Sequence, residues 1–228
     1  GVRECVEFLK SLSPNKSILF NKEIFQISGP KPEWIDQPSP KILVGATKPK
    51  MLSMATEVAD GLVMSDVTLA RIEECMEVIN VSLNNNGRDR KTFAVSNLFS
   101  WHVKSDKEEA IAEASSKLFV RGMLDQWYIS TFLDSNESQI VEDNLHAFAE
   151  AYAHNSNQIK GVRDNIVHKL IDNLTFTGDF GDIDRFTEEM IQFKNAGLDE
   201  FAIRLYKNPE QSMQVIAERV VPYLEGSK

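Results

Sequence analysis

The sequence predicts an α/β fold in which short buried strands lie parallel and alternate with amphipathic helices. Three observations carry that prediction. Lys41 to Met64 reads as strand, small-residue turn, helix and second strand. Thr92 to Phe99 reads as a third strand and Glu200 to Leu205 as a fourth, each followed by a helical pattern. Ile42-Leu43-Val44 and Leu62-Val63-Met64 are continuous apolar runs, the pattern of parallel strands covered on both faces.

Each element has its own local reason. Val2 to Leu12 places Val2, Val6, Leu9 and Leu12 on one helical face, and Ser13-Pro14 ends it. Phe20 to Ile27 fits a short excursion or hairpin, and Gly29 to Pro40 is a proline-studded loop. The helix after the first strand starts near Pro49, with Met51, Leu52, Met54, Ala55 and Val58 on one stripe. A helix over Thr68 to Asn84 ends in the turn Asn84-Asn85-Asn86-Gly87. Another spans Asp106 to Met123, with Ser105 or Asp106 as its cap and Glu108 and Glu109 in its first turn. Residues from Trp127 to Leu170 read as mostly helical and polar-faced. Phe180 to Asn195 is a helix stopped at Gly197, and Pro209 to Leu224 is the terminal helix.

Composition excludes several classes of function. At 228 residues, 42% hydrophobic and 26% charged, the chain can bury a sizeable core. A net charge of -9 argues against a duplex nucleic-acid binder. No apolar run approaches the roughly 20 residues that cross a bilayer, so no membrane association is expected. Cys5 and Cys75 have neither metal-ligand nor redox-motif spacing and are expected to be reduced, core-side residues of a cytoplasmic protein.

Strand ends followed by helices are where such folds place their chemistry. Gly45-Ala46-Thr47-Lys48 puts little bulk, one hydroxyl and a lysine before a helix N-terminus, where an anion is favoured. The plainer reading is an ordinary turn with exposed Lys48 and Lys50. His102, after Trp101, is expected at a strand end, more in keeping with a structural residue than a general base. His146, His154 and His168 have no metal-site spacing, so no metal is expected. No Ser/His/Asp grouping, P-loop or GxGxxG is present, and no catalytic residue is assigned.

Pro40, Gly45, Ala46, Pro49, Lys50, Ala55, Ala59, Asp60 and Gly61 stand in an order that resembles the fifth strand–helix–sixth strand signature of the bacterial luciferase-like monooxygenase superfamily. Leu174 to Gly178, with Leu198-Asp199-Glu200-Phe201, is similar to that family's Gly-Thr turn and last strand. Val220-Val221-Pro222-Tyr223-Leu224 resembles its terminus. Within the superfamily the pattern is nearest to the deazaflavin-dependent methylenetetrahydromethanopterin reductases.

The resemblance implies a TIM (β/α)8-barrel of the luciferase-like type, of which this chain supplies the C-terminal half, about four strands. It implies one domain over 1–228, shortened at its N-terminus, with a helical insertion at 125–172. The implied function is oxidoreduction of a small organic substrate, by hydride transfer or oxygen activation, with FMN or the deazaflavin coenzyme. Gly45, Ala46, Thr47 and Lys48 would line the cofactor and its phosphate end, and Thr177 and Gly178 would meet a cofactor phosphate. Asp179, after Gly178, departs from the family pattern and would repel that phosphate. A non-catalytic half-barrel that self-associates, or only binds cofactor phosphate, is the rival expectation. Unpaired strand edges predict a homo-oligomer, or else partial disorder at one edge.

Overall fold

The computed structural model describes residues 1–226. In chain order, α1 (Val2–Ser11) precedes the strands β1 (Ile18–Asn21), β2 (Gln26–Gly29) and β3 (Leu43–Gly45). Next come α2 (Pro49–Val58), β4 (Gly61–Ser65), α3 (Leu69–Asn85), β5 (Ala94–Lys104) and α4 (Lys107–Ser115). Four helices follow: α5 (Gln126–Ile129), α6 (Ser135–Asp143), α7 (Leu145–His154) and α8 (Asp164–Leu174). The chain closes with β6 (Thr175–Asp179), α9 (Ile183–Asn195), β7 (Glu200–Arg204), α10 (Pro209–Arg219) and α11 (Val221–Gly226). The chain divides into two compact units, Gly1–Val63 with Glu77–Val95, and Met64–Met76 with Ser96–Lys228.

In the first unit, β1 and β2 form an antiparallel hairpin, while β3 and β4 pair in parallel from Leu43↔Gly61 to Gly45↔Val63. Leu52 and Ala55 are fully buried on α2, and Leu62 on β4 is covered too. The Asp60-Gly61 pair is explained by two contacts. Asp60 accepts the Ile42 N–H at 2.8 Å and the Lys10 ammonium at 2.6 Å, which ties the start of β3 to the end of α2. Burial alone would raise the Asp60 carboxyl, but these donors outweigh it and hold it below the usual range. A Cβ on Gly61 would stand 2.5 Å from the Ala94 carbonyl oxygen, so only glycine lets the backbones pass. Arg88 closes α2 from outside, its guanidinium donating to the carbonyls of Thr56 and Ala59.

In the second unit β5 is the organising strand. Its Ser100–Lys104 stretch pairs in parallel with β6, and its Ser96–Ser100 stretch pairs in parallel with β7. Phe176 on β6 sits among Phe99 (ring centroids 4.8 Å), Phe186 (5.6 Å), Trp101 (6.1 Å) and Phe201 (6.1 Å). A separate helical core gathers Leu118, Ile129, Val141, Phe148, Ile166, Leu170 and Leu174. These residues come mainly from the segment expected to be a helical insertion.

The expected α/β fold with parallel pairing is the fold observed, with three local differences. Thr175–Asp179 is a strand beyond the four expected. No breaker separates it from α8; the Thr175 hydroxyl donates to the Ile171 carbonyl at 2.7 Å, and the backbone turns extended at that residue. β5 extends past Phe99 to Lys104, so His102 lies inside the strand. α4 stops at Ser115, because the Ser115 and Ser116 hydroxyls bond back to the Ile111 and Glu113 carbonyls. Cys75 is buried, with its thiol pushed up to about 12 chiefly by burial, whereas Cys5 is exposed.

Candidate functional site

Gly45, Ala46, Thr47 and Lys48 connect β3 to α2 in the first unit. Gly45 is exposed, and a Cβ there would meet nothing within 4 Å. The Ala46 amide is not free for a ligand, since it donates to the Val63 carbonyl at 3.1 Å. Lys48 is the N-cap residue of α2 in extended backbone, Pro49 opens the helix, and no acidic residue occupies the first turn. What this turn offers an anion is therefore open space and the exposed cations Lys48 and Lys50, more than a nest of amides. The groups present fit a phosphate.

At the C-terminal end of β4, in the second unit, Asp66 has a left-handed backbone (φ 56) and a fully buried side chain. Its Oδ1 takes the Arg121 guanidinium at 2.8 Å, and its Oδ2 accepts the Gly122 N–H at 2.8 Å and the Ser65 hydroxyl at 3.0 Å. Burial pushes the Asp66 carboxyl above the usual range, against the pull of Arg121 and the two donors. Beside it, the Asn97 side chain donates to the Val67 carbonyl at 2.8 Å and accepts the Val67 N–H at 3.3 Å. The Asp66 carboxylate thus anchors the segment from Arg121 onward, where Gly122, Met123 and Leu124 all have positive φ.

His102 points its Nδ1 at Glu113 of α4, 2.8 Å away, and stacks its ring on Tyr206 at 4.6 Å. Lys104 approaches the other Glu113 oxygen at 3.2 Å. Burial lowers the His102 pKa despite Glu113, so the ring is neutral at pH 7. Burial would raise Glu113, but His102 and Lys104 outweigh it and keep it ionised. With Glu113 ionised, Nδ1 carries the proton, and Nε2 is left a buried nitrogen without a hydrogen-bond partner. Glu113 and Tyr206 also line an open cleft with Glu109, Lys117, Asn155 and Lys207. Two acidic and two basic side chains balance there, so the cleft has no strong charge preference.

Thr177 and Gly178 lie in β6 of the second unit. Thr177 is buried, with its hydroxyl 2.7 Å from that of Thr175. Gly178 faces the Asp182 side chain, which a Cβ at Gly178 would strike. The six residues expected to meet a cofactor therefore form two local groups, one at the start of α2 and one in β6. Asp66 closely follows the apolar run Leu62-Val63-Met64, so its place near a strand end can be read from the chain; its partner Arg121, and Glu113, carry no such mark. Their signal was weak, because an arginine or glutamate reads as a solvated residue until the fold buries it. Among the described residues no group of three His, Cys, Asp or Glu could hold a metal ion, and no helix is long and apolar enough to cross a membrane.

Parallel strands that alternate with helices define a (β/α)-type α/β protein. Residues 1–200 match the family model described as luciferase-like monooxygenase, and the chain belongs to that family. It is 25% identical over 228 residues to the 5,10-methylenetetrahydromethanopterin reductase of Archaeoglobus fulgidus, covering 98% of this chain and 66% of that protein. The coenzyme F420 dependent tetrahydromethanopterin reductase from Methanopyrus kandleri shares the fold (TM-score 0.68, 15% identity), over 97% of this chain and 61% of that one. An F420-dependent secondary alcohol dehydrogenase does so with a TM-score of 0.64 at 15% identity, over 97% and 60%. The EDTA monooxygenase from Chelativorans sp. BNC1 aligns with a TM-score of 0.56 at 14% identity, over 92% and 52%. The chain thus spans just under two thirds of its matched relative and about 60% of the first two structures.

Proposed function

We propose that this chain serves a flavin- or deazaflavin-dependent oxidoreductase acting on a small organic substrate, with the cofactor's phosphate end held at Gly45–Lys48. The open, cationic β3–α2 turn is the observation that carries the reading, and family membership supports the class of reaction. Relatives named for coenzyme F420 favour the deazaflavin over FMN. Bound, such a ring passes a hydride or activates oxygen. The protein's part is to hold its anionic end by Lys48 and Thr47 and to let the backbone approach closely at Gly45.

Fluorescence titration with FMN, and separately with the deazaflavin coenzyme, tests this. Saturable binding of one of them is expected, weakened about tenfold by Lys48→Ala through loss of one charge-assisted contact. Unchanged affinity in both Thr47→Ala and Lys48→Ala would move the anion site elsewhere.

A second reading, a self-associating unit without turnover, draws on the short strand β3, whose Leu43 is 46% exposed. Either reading has the chain associate with copies of itself. Light scattering is expected to give a mass above that of one chain, and a monodisperse monomer would remove the self-association proposal.

A further inference from the structure

The turn at the end of β6 disagrees with the role that the family resemblance gives it. A phosphate arriving at Thr177–Gly178 needs a free hydroxyl, free amides and room beside the glycine. The hydroxyl of Thr177 is engaged with Thr175. The room beside Gly178 is filled by Asp182, the residue that a Cβ would strike there. Asp182 Oδ2 accepts the Asp179 N–H at 3.1 Å and the Lys107 ammonium at 3.0 Å, and its Oδ1 lies 3.6 Å from the Arg185 guanidinium. The Asp179 carboxylate takes a second amide, that of Gly181, at 2.7 Å. Burial would raise the Asp182 carboxyl, but Lys107 and the Asp179 amide outweigh it, so the group is anionic at neutral pH.

We infer that Asp182 is the specificity-determining residue of this turn: its carboxylate occupies the anion position beside Gly178 and excludes a ligand phosphate. One amide, an ammonium and a guanidinium converge on the Asp182 carboxylate as they would on a bound anion, and the chain supplies the anion itself. A phosphate would have to displace that carboxylate or sit against its negative charge. The inference stands apart from the identity of the cofactor, because it concerns phosphate as such. It also narrows what Thr177 and Gly178 do for any ligand, to contact with an uncharged part.

The test is an amide NMR titration of the full chain with inorganic phosphate at neutral pH, with chloride at matched ionic strength as the control. In the unmodified protein the Gly178, Asp179 and Gly181 amides are expected to stay unmoved through millimolar phosphate. In Asp182→Gly the same amides are expected to shift saturably, with phosphate binding at least about tenfold tighter, since a like charge is removed while Lys107 and Arg185 remain. The Asp182 side chain makes no cap bond to α9, so glycine suits the helix start; Asp182→Ser serves if the glycine variant does not fold. Saturable shifts of these amides in the unmodified protein would overturn the inference. So would a folded Asp182→Gly or Asp182→Ser protein whose amides ignore phosphate. Loss of cofactor binding at Lys48 would leave both readouts unchanged, which separates this inference from the proposed cofactor site.

Discussion

Asp66→Ala is expected to destabilise the protein by about 3–5 kcal/mol, the range for leaving a buried charge without its partner. The Arg121 side chain is 2% exposed and that of Asp66 0%, so water cannot replace the lost carboxylate. The Gly122 amide loses its acceptor as well. Alanine is further penalised at φ 56, a left-handed conformation that asparagine and aspartate tolerate better. Asp66→Asn is therefore expected to lose less than Asp66→Ala, and Asp66→Ala combined with Arg121→Met is expected to recover much of the loss. Urea denaturation followed by tryptophan fluorescence measures all three. An Asp66→Ala protein within about 1 kcal/mol of the parent would mean that the ion pair contributes no more than an exposed one. Against a typical total stability of about 5–15 kcal/mol, the expected loss is large enough to compromise folding.

Glu189→Gln is expected to stabilise the protein above neutral pH and to leave it nearly unchanged in acid. Burial raises the Glu189 carboxyl from 4.5 to about 7, and Arg185 only partly offsets this. A carboxyl with a higher pKa folded than unfolded makes the native state the better proton binder between those two values. Its favourable contribution is complete below about 4.5 and lost as pH rises through about 7. Glutamine carries no such charge, so the stability gap should open across that window. A fully dry site would give about 3 kcal/mol, and partial solvent access brings the expected gain at pH 8 to about 1–2 kcal/mol. Thermal denaturation at pH 4 and pH 8 measures the gap. An equal effect at both pH values would show that the change acts through packing and not through titration.

Much of the fold was legible because its signals are local. Continuous apolar runs marked β3 and β4, the Pro49 start and apolar stripe marked α2, and the Asp106 cap placed the start of α4 where its carboxylate accepts the Glu108 and Glu109 amides. β6 escaped because Asp164 to Thr175 carries no glycine or proline to end the helix. The change of state there rests on one threonine hydroxyl and on the pairing of Phe176 with β5. Pairing across a sheet is a long-range event, and no window of sequence contains it.

The candidate site divides in the same way. Gly45, Ala46, Thr47 and Lys48 are neighbours in sequence, so the smallness, hydroxyl and charge at that turn were readable from the chain. Asp66 with Arg121, and His102 with Glu113, are pairs that only folding brings together. The closing of the Gly178 turn belongs with them, since Lys107 comes to it from another helix. Sequence by itself determined most of the strands and helices, β6 excepted, and where small or charged residues gather, because backbone preference and periodicity act over a few residues. Tertiary structure alone decided which charges are buried, which partner each one meets and which anion position is already filled, because desolvation and pairing depend on residues far apart in the chain.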